Sequence, residues 1–194
     1  MSSRAFWLTG DRTADELLGT DDNALLLGMV LDQQVPMEKA FAGPAVIAER
    51  MGGRLDVAAI AAMDDEAFVA LCAQRPAVHR YPASMGKRVR QVCQVLVEDF
   101  DGDAANLWRG ATTGSELKRA LGALPGFGAE KAAIFTAVLA KQRGVQPPGW
   151  REAAGAYGEE NSYRSVADVV DEESLAKVRE TKRSVKAAKK AAAG

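Results

Sequence analysis

Apolar segments with helical spacing follow one another along the whole chain, and several begin just after a residue that can cap a helix. Asp21 or Asp22 precedes the apolar run 23–34, and Thr113 and Glu116 stand in capping-box spacing. Such side chains accept hydrogen bonds from the unpaired N–H groups of a first helical turn. The sequence has no convincing alternation of apolar and polar residues, which is the pattern of a strand. An all-α fold is therefore predicted.

The spacing of apolar residues and of helix-breaking residues sets the expected helix limits. Pro36 fits the first turn of a helix that ends at Gly52 and Gly53. Residues 143–149, which contain two prolines, are expected to be non-helical. The predicted helices cover residues 13–19, 23–34, 36–51, 56–63, 64–72, 84–99, 113–120, 130–142 and 172–188.

Size and composition exclude several classes of protein. A chain of 194 residues, 47% of them hydrophobic, is enough for one domain or for two small lobes that share a core. No apolar run approaches the length of a membrane span, and the first residues lack a signal-peptide pattern, so we expect a cytoplasmic protein. Cys72, Cys93 and the single histidine, His79, are too few for a zinc site or a four-cysteine iron–sulfur cluster. No metal or cofactor is predicted. His79 could be a pocket residue, but a lone histidine in a loop is more typical of polar surface.

The net charge of −1 hides a basic C-terminus. Residues 174–194 carry seven Lys or Arg and one Glu, a net +6, which leaves −7 on residues 1–173. Such a segment can bind a polyanion locally. It can equally be a solvated Ala/Lys-rich helix end, and the sequence leaves both interpretations open.

The stretch LGALPGFGAEKAAIF, residues 121–135, joins two apolar helical segments through a proline and two glycines. Pro125 ends the first helix, and Gly126 and Gly128 permit backbone angles and close approaches that a side chain would prevent. Phe127 is expected to anchor the turn in the core. The N–H groups at the start of the next helix can bind a phosphate, with Lys131 adding a positive charge. A plain helix joint with a glycine cap is the alternative.

Three segments resemble the HhH-GPD superfamily of base-excision DNA glycosylases. LPGFGAEKA resembles its helix–hairpin–helix element, LLGMVLDQQVPMEKAF its helix that ends in a polar pair, and MGKRVRQVCQVLVEDFDGD its middle helix. The second segment supplies Gln33, Gln34 and the Lys39–Ala40 step. The resemblance covers residues 22–142 in the family's order. It divides the chain into a glycosylase-like domain, residues 1–173 with the hairpin element at about 113–142, and a basic tail, residues 174–194.

The resemblance implies a two-lobed all-α monomer that binds double-stranded DNA with a damaged or mispaired base, and is nucleoid-associated when bound. Such proteins flip the base out of the helix, because the glycosidic bond is inaccessible inside the stack. Gln33 or Gln34 would fill the gap, unless the pair simply caps its helix. The residues expected to contact DNA are Gln33, Gln34, Lys39, Pro125, Gly126, Phe127, Gly128, Lys131 and Trp150.

The chain departs from the family where the catalytic aspartate is expected. The loop GVQPPGWREAAG, residues 144–155, contains no aspartate, and its first carboxylate is Glu152. Glu152 could stabilise the positive charge that develops on the sugar, or it could only begin a helix. Asp32, beside Gln33, is the second candidate carboxylate, whereas Asp168 lies too far along the chain. Trp150 is expected at the cleft.

A second departure concerns the lysine that bifunctional members carry just after the hairpin glycines. Glu130 occupies that place, and Lys131, one residue on, points about 100° away around the helix. A monofunctional glycosylase is therefore favoured over a lyase. Two alternatives stay open: a protein that binds DNA without releasing a base, and an unrelated helical interaction module.

Overall fold

A computed structural model describes residues 6–192, and this part of the chain is all-α, as predicted. It contains eleven α-helices, two short 3₁₀ helices and no strand. The α-helices are α1 (Arg12–Thr20), α2 (Asp22–Leu31), α3 (Met37–Arg50), α4 (Val57–Ala62), α5 (Asp65–Ala73), α6 (Pro82–Asp99), α7 (Ala104–Arg109), α8 (Gly114–Gly122), α9 (Ala129–Arg143), α10 (Trp150–Ala154) and α11 (Glu172–Ala192). The 3₁₀ helices are Gly155–Gly158 and Val166–Asp168.

Two helices begin at the capping residues that the sequence indicates. Asp21 accepts a hydrogen bond from the N–H of Ala24 at the start of α2, and Thr113 accepts one from Glu116 at the start of α8. The predicted end of α2 at residue 34 is wrong, because the helix ends at Leu31 and Gln34 adopts a left-handed conformation with φ +57°. Pro36 is the residue before α3 rather than part of its first turn. The short helix α7 was not predicted, whereas α10 has Glu152 in its first turn, where the sequence left the start of a helix open.

Helix α2 lies at the centre of the fold, with all of residues 24–31 buried. It packs against α1, α3, α6 and α7. Helices α4 and α5 pack on α6, while α8, α9 and α10 pack on one another, and α7 contacts α8.

Helices α8 and α10 approach each other more closely than a side chain would allow. A Cβ added at Gly114 would lie 2.5 Å from the carbonyl oxygen of Gly149 and from the N and Cα of Trp150. The N–H of Gly114 also donates a hydrogen bond to the carbonyl of Pro148, at 2.8 Å. Glycine at position 114 thus fixes the start of the hairpin element against the Pro-Pro-Gly loop.

The basic C-terminus forms the single long helix α11, and its first turns belong to the core. Leu175 and Val178 are buried, and Arg179 Nε donates to Glu38 Oε1 of α3 at 2.7 Å. The boundary between residues 173 and 174 therefore falls inside a helix. The second half of α11 is exposed. None of the helices within residues 6–192 is long and apolar enough to cross a membrane.

Candidate nucleic-acid interface

The turn that joins α2 to α3 carries Asp32, Gln33 and Gln34. Gln33 and Gln34 are exposed, whereas Asp32 is half-buried at the end of α2. The N–H of Gln33 donates to the carbonyl of Leu31 at 2.7 Å, which makes the turn tight. The positive φ of Gln34 is unusual for a residue with a side chain and has to be held in place by the surroundings.

His79 lies under this turn, and its interpretation as polar surface is wrong. Its side chain is buried, with 1% of the residue exposed. The Tyr81 N–H donates to Nδ1 at 3.0 Å, so Nδ1 is the unprotonated nitrogen and Nε2 carries the hydrogen. Nε2 therefore donates to the carbonyl of Gln33 at 2.9 Å. Burial lowers the pKa of His79, and the charges of Lys39 and Lys131 lower it further, which favours the neutral ring.

Lys131 is directed towards the end of α2. Its Nζ donates to the carbonyl of Val30 at 3.1 Å and lies 5.8 Å from the centre of the Phe127 ring. Burial lowers the pKa of Lys131, an effect that the negative charge of Asp32 opposes. The sequence left the direction of this side chain open. In the structure it reaches the last turn of α2, which Asp32 follows, although the two residues are separated by almost 100 positions.

Asp32 is surrounded by charged groups from three helices. Burial raises its pKa, while Lys182 of α11 and Lys131 of α9 lower it and Glu38 of α3 raises it. Lys182 Nζ also lies 3.7 Å from the sulfur of Met37, beside the turn. A partly buried carboxylate can stabilise positive charge or accept a proton.

The glycine hairpin, residues 123–128, follows α8 and precedes α9. Phe127 is buried and meets Phe135 edge to face, which confirms its expected role as an anchor. Pro125 is half-buried. Gly126 has φ +81°, and a Cβ there would lie 2.8 Å from Cδ of Arg88. Arg88 of α6 therefore lies against the hairpin.

Gly128 is the residue before α9, and the space beside it is open. A Cβ at Gly128 would meet no atom within 4 Å, and its φ of −91° is accessible to any residue. No side chain caps α9, and the first N–H bonded back to the hairpin is that of Ala132, which reaches the carbonyl of Gly128 at 3.0 Å. The first-turn N–H groups and the open space can receive an anion.

Glu152 and Trp150 do not lie with this cluster. Glu152 is exposed on a shallow concavity formed by α8, α9 and α10, beside Lys118, Ala129 and Ala132. Around the α9 axis, Lys131 is about 100° from Ala132 and about 160° from Ala129, so Glu152 faces a different side of α9. Trp150 is buried and lines a different concavity, beside Lys141 and Asp168, and the Arg151 guanidinium lies 4.4 Å from its ring centre.

A groove of about 450 Å³ lies between α11 and the first turns of α9. The Tyr157 hydroxyl donates to Glu130 Oε1 at 2.7 Å, which fixes the ring in the groove. Burial and the neighbouring Glu130 carboxylate raise the pKa of Tyr157 to about 12. Val185 is an apolar residue with 42% of its surface exposed here. The other lining residues are Ile134, Ala156, Arg164, Thr181, Lys182, Lys186 and Lys189.

The residues that could hold a metal ion are few. Within the described residues 6–192, no three His, Cys, Asp or Glu side chains lie together in a group that could bind a metal. The ionisable and amide side chains at or near the turn are Asp32, Lys131, Lys182, Gln33 and Gln34.

Asp32→Asn is expected to raise the free energy of unfolding at pH 7. The pKa of Asp32 in the folded protein lies above its ordinary value of 3.8. Stability therefore falls as the pH rises from 3.8 through the raised pKa, and the loss is complete above it. Urea unfolding of both proteins at pH 7 and below pH 3.8 measures this. A gain that persists unchanged in acid would contradict it.

Sequence reasoning missed three contributors to the site: His79, Arg88 and Lys182. His79 was the only histidine and lies in a loop between two prolines, and Lys182 belongs to the basic segment. A lone loop histidine does not indicate that His79 contacts Gln33, 46 residues away. A basic segment does not indicate that Lys182 acts on Asp32, 150 residues away. No protein family, no curated protein and no solved structure matches this chain, so its function has to be inferred from these residues and their geometry.

Proposed function

We propose that this chain is a base-excision DNA repair protein of the HhH-GPD type, a monofunctional DNA glycosylase with a two-lobed fold. The observation that carries the proposal is the grouping of Asp32, the Gln33–Gln34 pair and Lys131. They lie where the turn after α2 meets the start of α9, directly after the glycine hairpin. A carboxylate, exposed amides and a helix N-terminus are the groups that base flipping and glycosidic cleavage require.

The hairpin is proposed to hold the DNA backbone. The uncapped start of α9 presents N–H groups and the positive end of the helix dipole, and the open space beside Gly128 lets a phosphate approach. Lys131 is not part of this contact, because its ammonium group donates to the Val30 carbonyl. The exposed lysines of α11 would add affinity that falls as salt concentration rises.

Gln33 and Gln34 are proposed to fill the gap that the flipped nucleotide leaves. Both side chains are exposed, and the turn that carries them is held by His79 from below. A primary amide both donates and accepts hydrogen bonds, so it can pair with the edge of an orphaned base.

The flipped base is proposed to enter the groove between α9 and α11. Its volume of about 450 Å³ is in the range of small-molecule pockets. The Tyr157 ring and Val185 offer aromatic and apolar surface, and the cationic residues along α11 complement the phosphates that flank the base. Lys182 lines the groove and also acts on Asp32, which connects the groove with the carboxylate.

The proposed reaction is hydrolysis of the N-glycosidic bond. The electron pair of that bond leaves with the base, and Asp32 stabilises the positive charge on the sugar. A water oxygen then bonds to C1′ while its proton passes to Asp32. Lys131 contributes charge and not a nucleophile, since its ammonium group is engaged with Val30.

A second candidate function is binding of DNA without base release. The separation of Glu152 from the turn favours it, because the carboxylate nearest in sequence to the family's aspartate does not face Asp32 and Lys131. In that case the scaffold and hairpin would recognise DNA, and Asp32 would only balance the two lysines.

Incubation of the protein with duplexes that carry single lesions tests the proposal. The duplexes contain uracil, hypoxanthine, a 3-methyladenine analogue, 8-oxoguanine or an A:8-oxoguanine mispair, and abasic sites are detected by alkaline cleavage. Release of one of these bases supports the glycosylase. Salt-sensitive binding with no release from any duplex supports the second candidate. A protein that binds none of the duplexes would contradict both.

Gly128→Asp is expected to weaken duplex binding at least about tenfold without loss of stability. Aspartate is a favourable residue at a helix N-cap, and φ −91° suits it, so the free energy of unfolding should stay equal or rise. Its negative charge would repel a phosphate at the start of α9. Fluorescence anisotropy with a labelled duplex measures binding.

Gly128→Asn is the matched control for this substitution. Asparagine has nearly the same size and capping ability but no charge. It should retain most of the affinity. If the Asp and Asn variants bind DNA equally, the hairpin is not where the phosphate binds.

A further inference from the structure

Arg88 of α6 is an arginine that the protein brings partly out of water without pairing it. Within residues 6–192 it is half-buried, and no hydrogen bond or ion pair joins its guanidinium to another residue. The other half-buried arginines of this part of the chain donate to carbonyl or carboxylate oxygens of the protein: Arg50, Arg90 and Arg143. A guanidinium carries five N–H donors in a fixed fork, so the fork of Arg88 is available to a ligand.

The side chain of Arg88 lies across the glycine hairpin. A Cβ at Gly126 would lie 2.8 Å from Cδ and 3.1 Å from Cγ of Arg88, and it would also overlap the end of the guanidinium. The methylene groups therefore pack on the bare Cα of Gly126, and the charged fork ends beside the hairpin. Helix α6 itself packs on α2, α4 and α5, so Arg88 brings a charge to the hairpin from a different part of the fold.

The charges around Arg88 favour an anion. Arg88 and Lys131 act on each other as like charges: burial lowers the pKa of Lys131, Asp32 opposes that effect, and Arg88 lowers the pKa further. The ammonium group of Lys131 donates to the Val30 carbonyl, which does not neutralise it. Since Arg88 has no carboxylate partner in the described part of the chain, a bound anion would relieve the repulsion between the two cations.

We propose that Arg88 binds a phosphate of the DNA backbone beside Gly126 and is a further DNA-binding residue of this protein. A guanidinium fork matches the oxygens of a phosphate and can form two parallel hydrogen bonds with them. The proposed function places a phosphate at Gly128, further along the same hairpin. The inference rests on the DNA binding in that proposal, and it holds for both candidate functions, with or without base release. The DNA backbone is then held by α6 as well as by the hairpin.

Three variants separate a phosphate contact from a packing role. Arg88→Gln removes the charge and shortens the side chain, whereas Arg88→Lys keeps the charge and the methylene groups. Lys87→Gln is the matched control, because Lys87 is the neighbouring cation on α6, is exposed and points about 100° away around the helix. Circular dichroism and thermal unfolding show whether each protein is folded.

The first readout is the affinity for an intact labelled duplex over a series of salt concentrations, measured by fluorescence anisotropy. One phosphate contact contributes about 0.9 to the slope of log K against log salt, so Arg88→Gln should make the slope shallower by about that amount. Affinity at low salt should fall at least about fivefold, and equally for duplexes of different sequence. Arg88→Lys should restore the slope, and Lys87→Gln should keep the slope and affinity of the wild type.

The results that would overturn the proposal are distinct from those that concern catalysis. An unchanged slope in Arg88→Gln, or an equal change in Lys87→Gln, would overturn it. An Arg88→Lys protein that does not restore the slope would assign Arg88 to packing alone. A wild-type protein that binds no duplex would contradict the proposed function and this inference together. Binding without base release contradicts only the glycosylase, and the Arg88 variants still decide.

The second readout uses the wild-type protein, so it decides even if Arg88→Gln fails to fold. Phenylglyoxal modifies accessible guanidinium groups, and mass spectrometry of the digested protein reports modification at each arginine. A saturating duplex should slow modification of Arg88 at least about fivefold. Arg12, an exposed arginine of α1, should react at the same rate with and without the duplex. Equal rates at Arg88 with and without DNA, or equal protection of the two arginines, would overturn the proposal.

Discussion

Asp32→Asn is expected to reduce base release at least about 100-fold while duplex affinity stays within about threefold. The substitution keeps the size of the side chain and removes a negative charge that acts on Lys131. A charge that stabilises the transition state acts on the chemical step, so single-turnover rates should fall and binding should not. Rates measured with enzyme in excess over the cleaved duplex test this.

Glu152→Gln is the control for this substitution. Glu152 is exposed and lies on another side of α9, so its replacement should leave the rate within about twofold of the wild type. Loss of activity in the Glu152→Gln protein with retention in the Asp32→Asn protein would transfer the catalytic role to Glu152. If the Asp32→Asn protein is inactive and also more stable than the wild type, Asp32 is a residue retained for function at a cost in stability.

Gly114→Ala is expected to lower the free energy of unfolding by more than about 2 kcal/mol. The added methyl group would lie 2.5 Å from three backbone atoms of Gly149 and Trp150, which cannot move as the end of a flexible side chain can. Helix α8 would have to shift away from α10, and the hydrogen bond from Gly114 to Pro148 would be lost or lengthened. Urea unfolding followed by circular dichroism measures the change.

Gly110→Ala is the matched control, because its φ of −78° is ordinary and the nearest atom to an added Cβ is 3.8 Å away. It should change stability by less than about 0.5 kcal/mol. If the two alanine variants were equally stable, the close approach of α8 and α10 would not be required for the fold.

The helices could be predicted from the sequence because their signals are local. Asp21 and Thr113 cap the helices they precede, and the apolar spacing gave most of the limits to within a few residues. The end of α2 could not be predicted in this way. Residues 32–34 continue the helical pattern, but the distant His79 holds the Gln33 carbonyl outside the helix.

Part of the candidate site could also be predicted, because some of its residues are close together in the sequence. Asp32, Gln33 and Gln34 are adjacent in the chain, so one motif indicates all three. The direction of Lys131 and the part played by Lys182 depend on how α9 and α11 pack beside α2, which no spacing within either helix reveals. Trp150 was expected at a cleft because it follows Pro-Pro-Gly; most of its apolar surface is buried, and it lines a concavity beside Lys141 and Asp168 that no local pattern indicates.

The contacts made by α11 set the order in which this site can form during synthesis. Arg179 and Lys182 meet Glu38 and Met37, residues that leave the ribosome more than 140 positions earlier. The amino-terminal helices can fold around α2 while the chain is still growing. The surroundings of Asp32 remain open to water until the last helix emerges. A nascent chain could therefore be compact and yet lack the groove between α9 and α11, which forms only once translation has released the last helix.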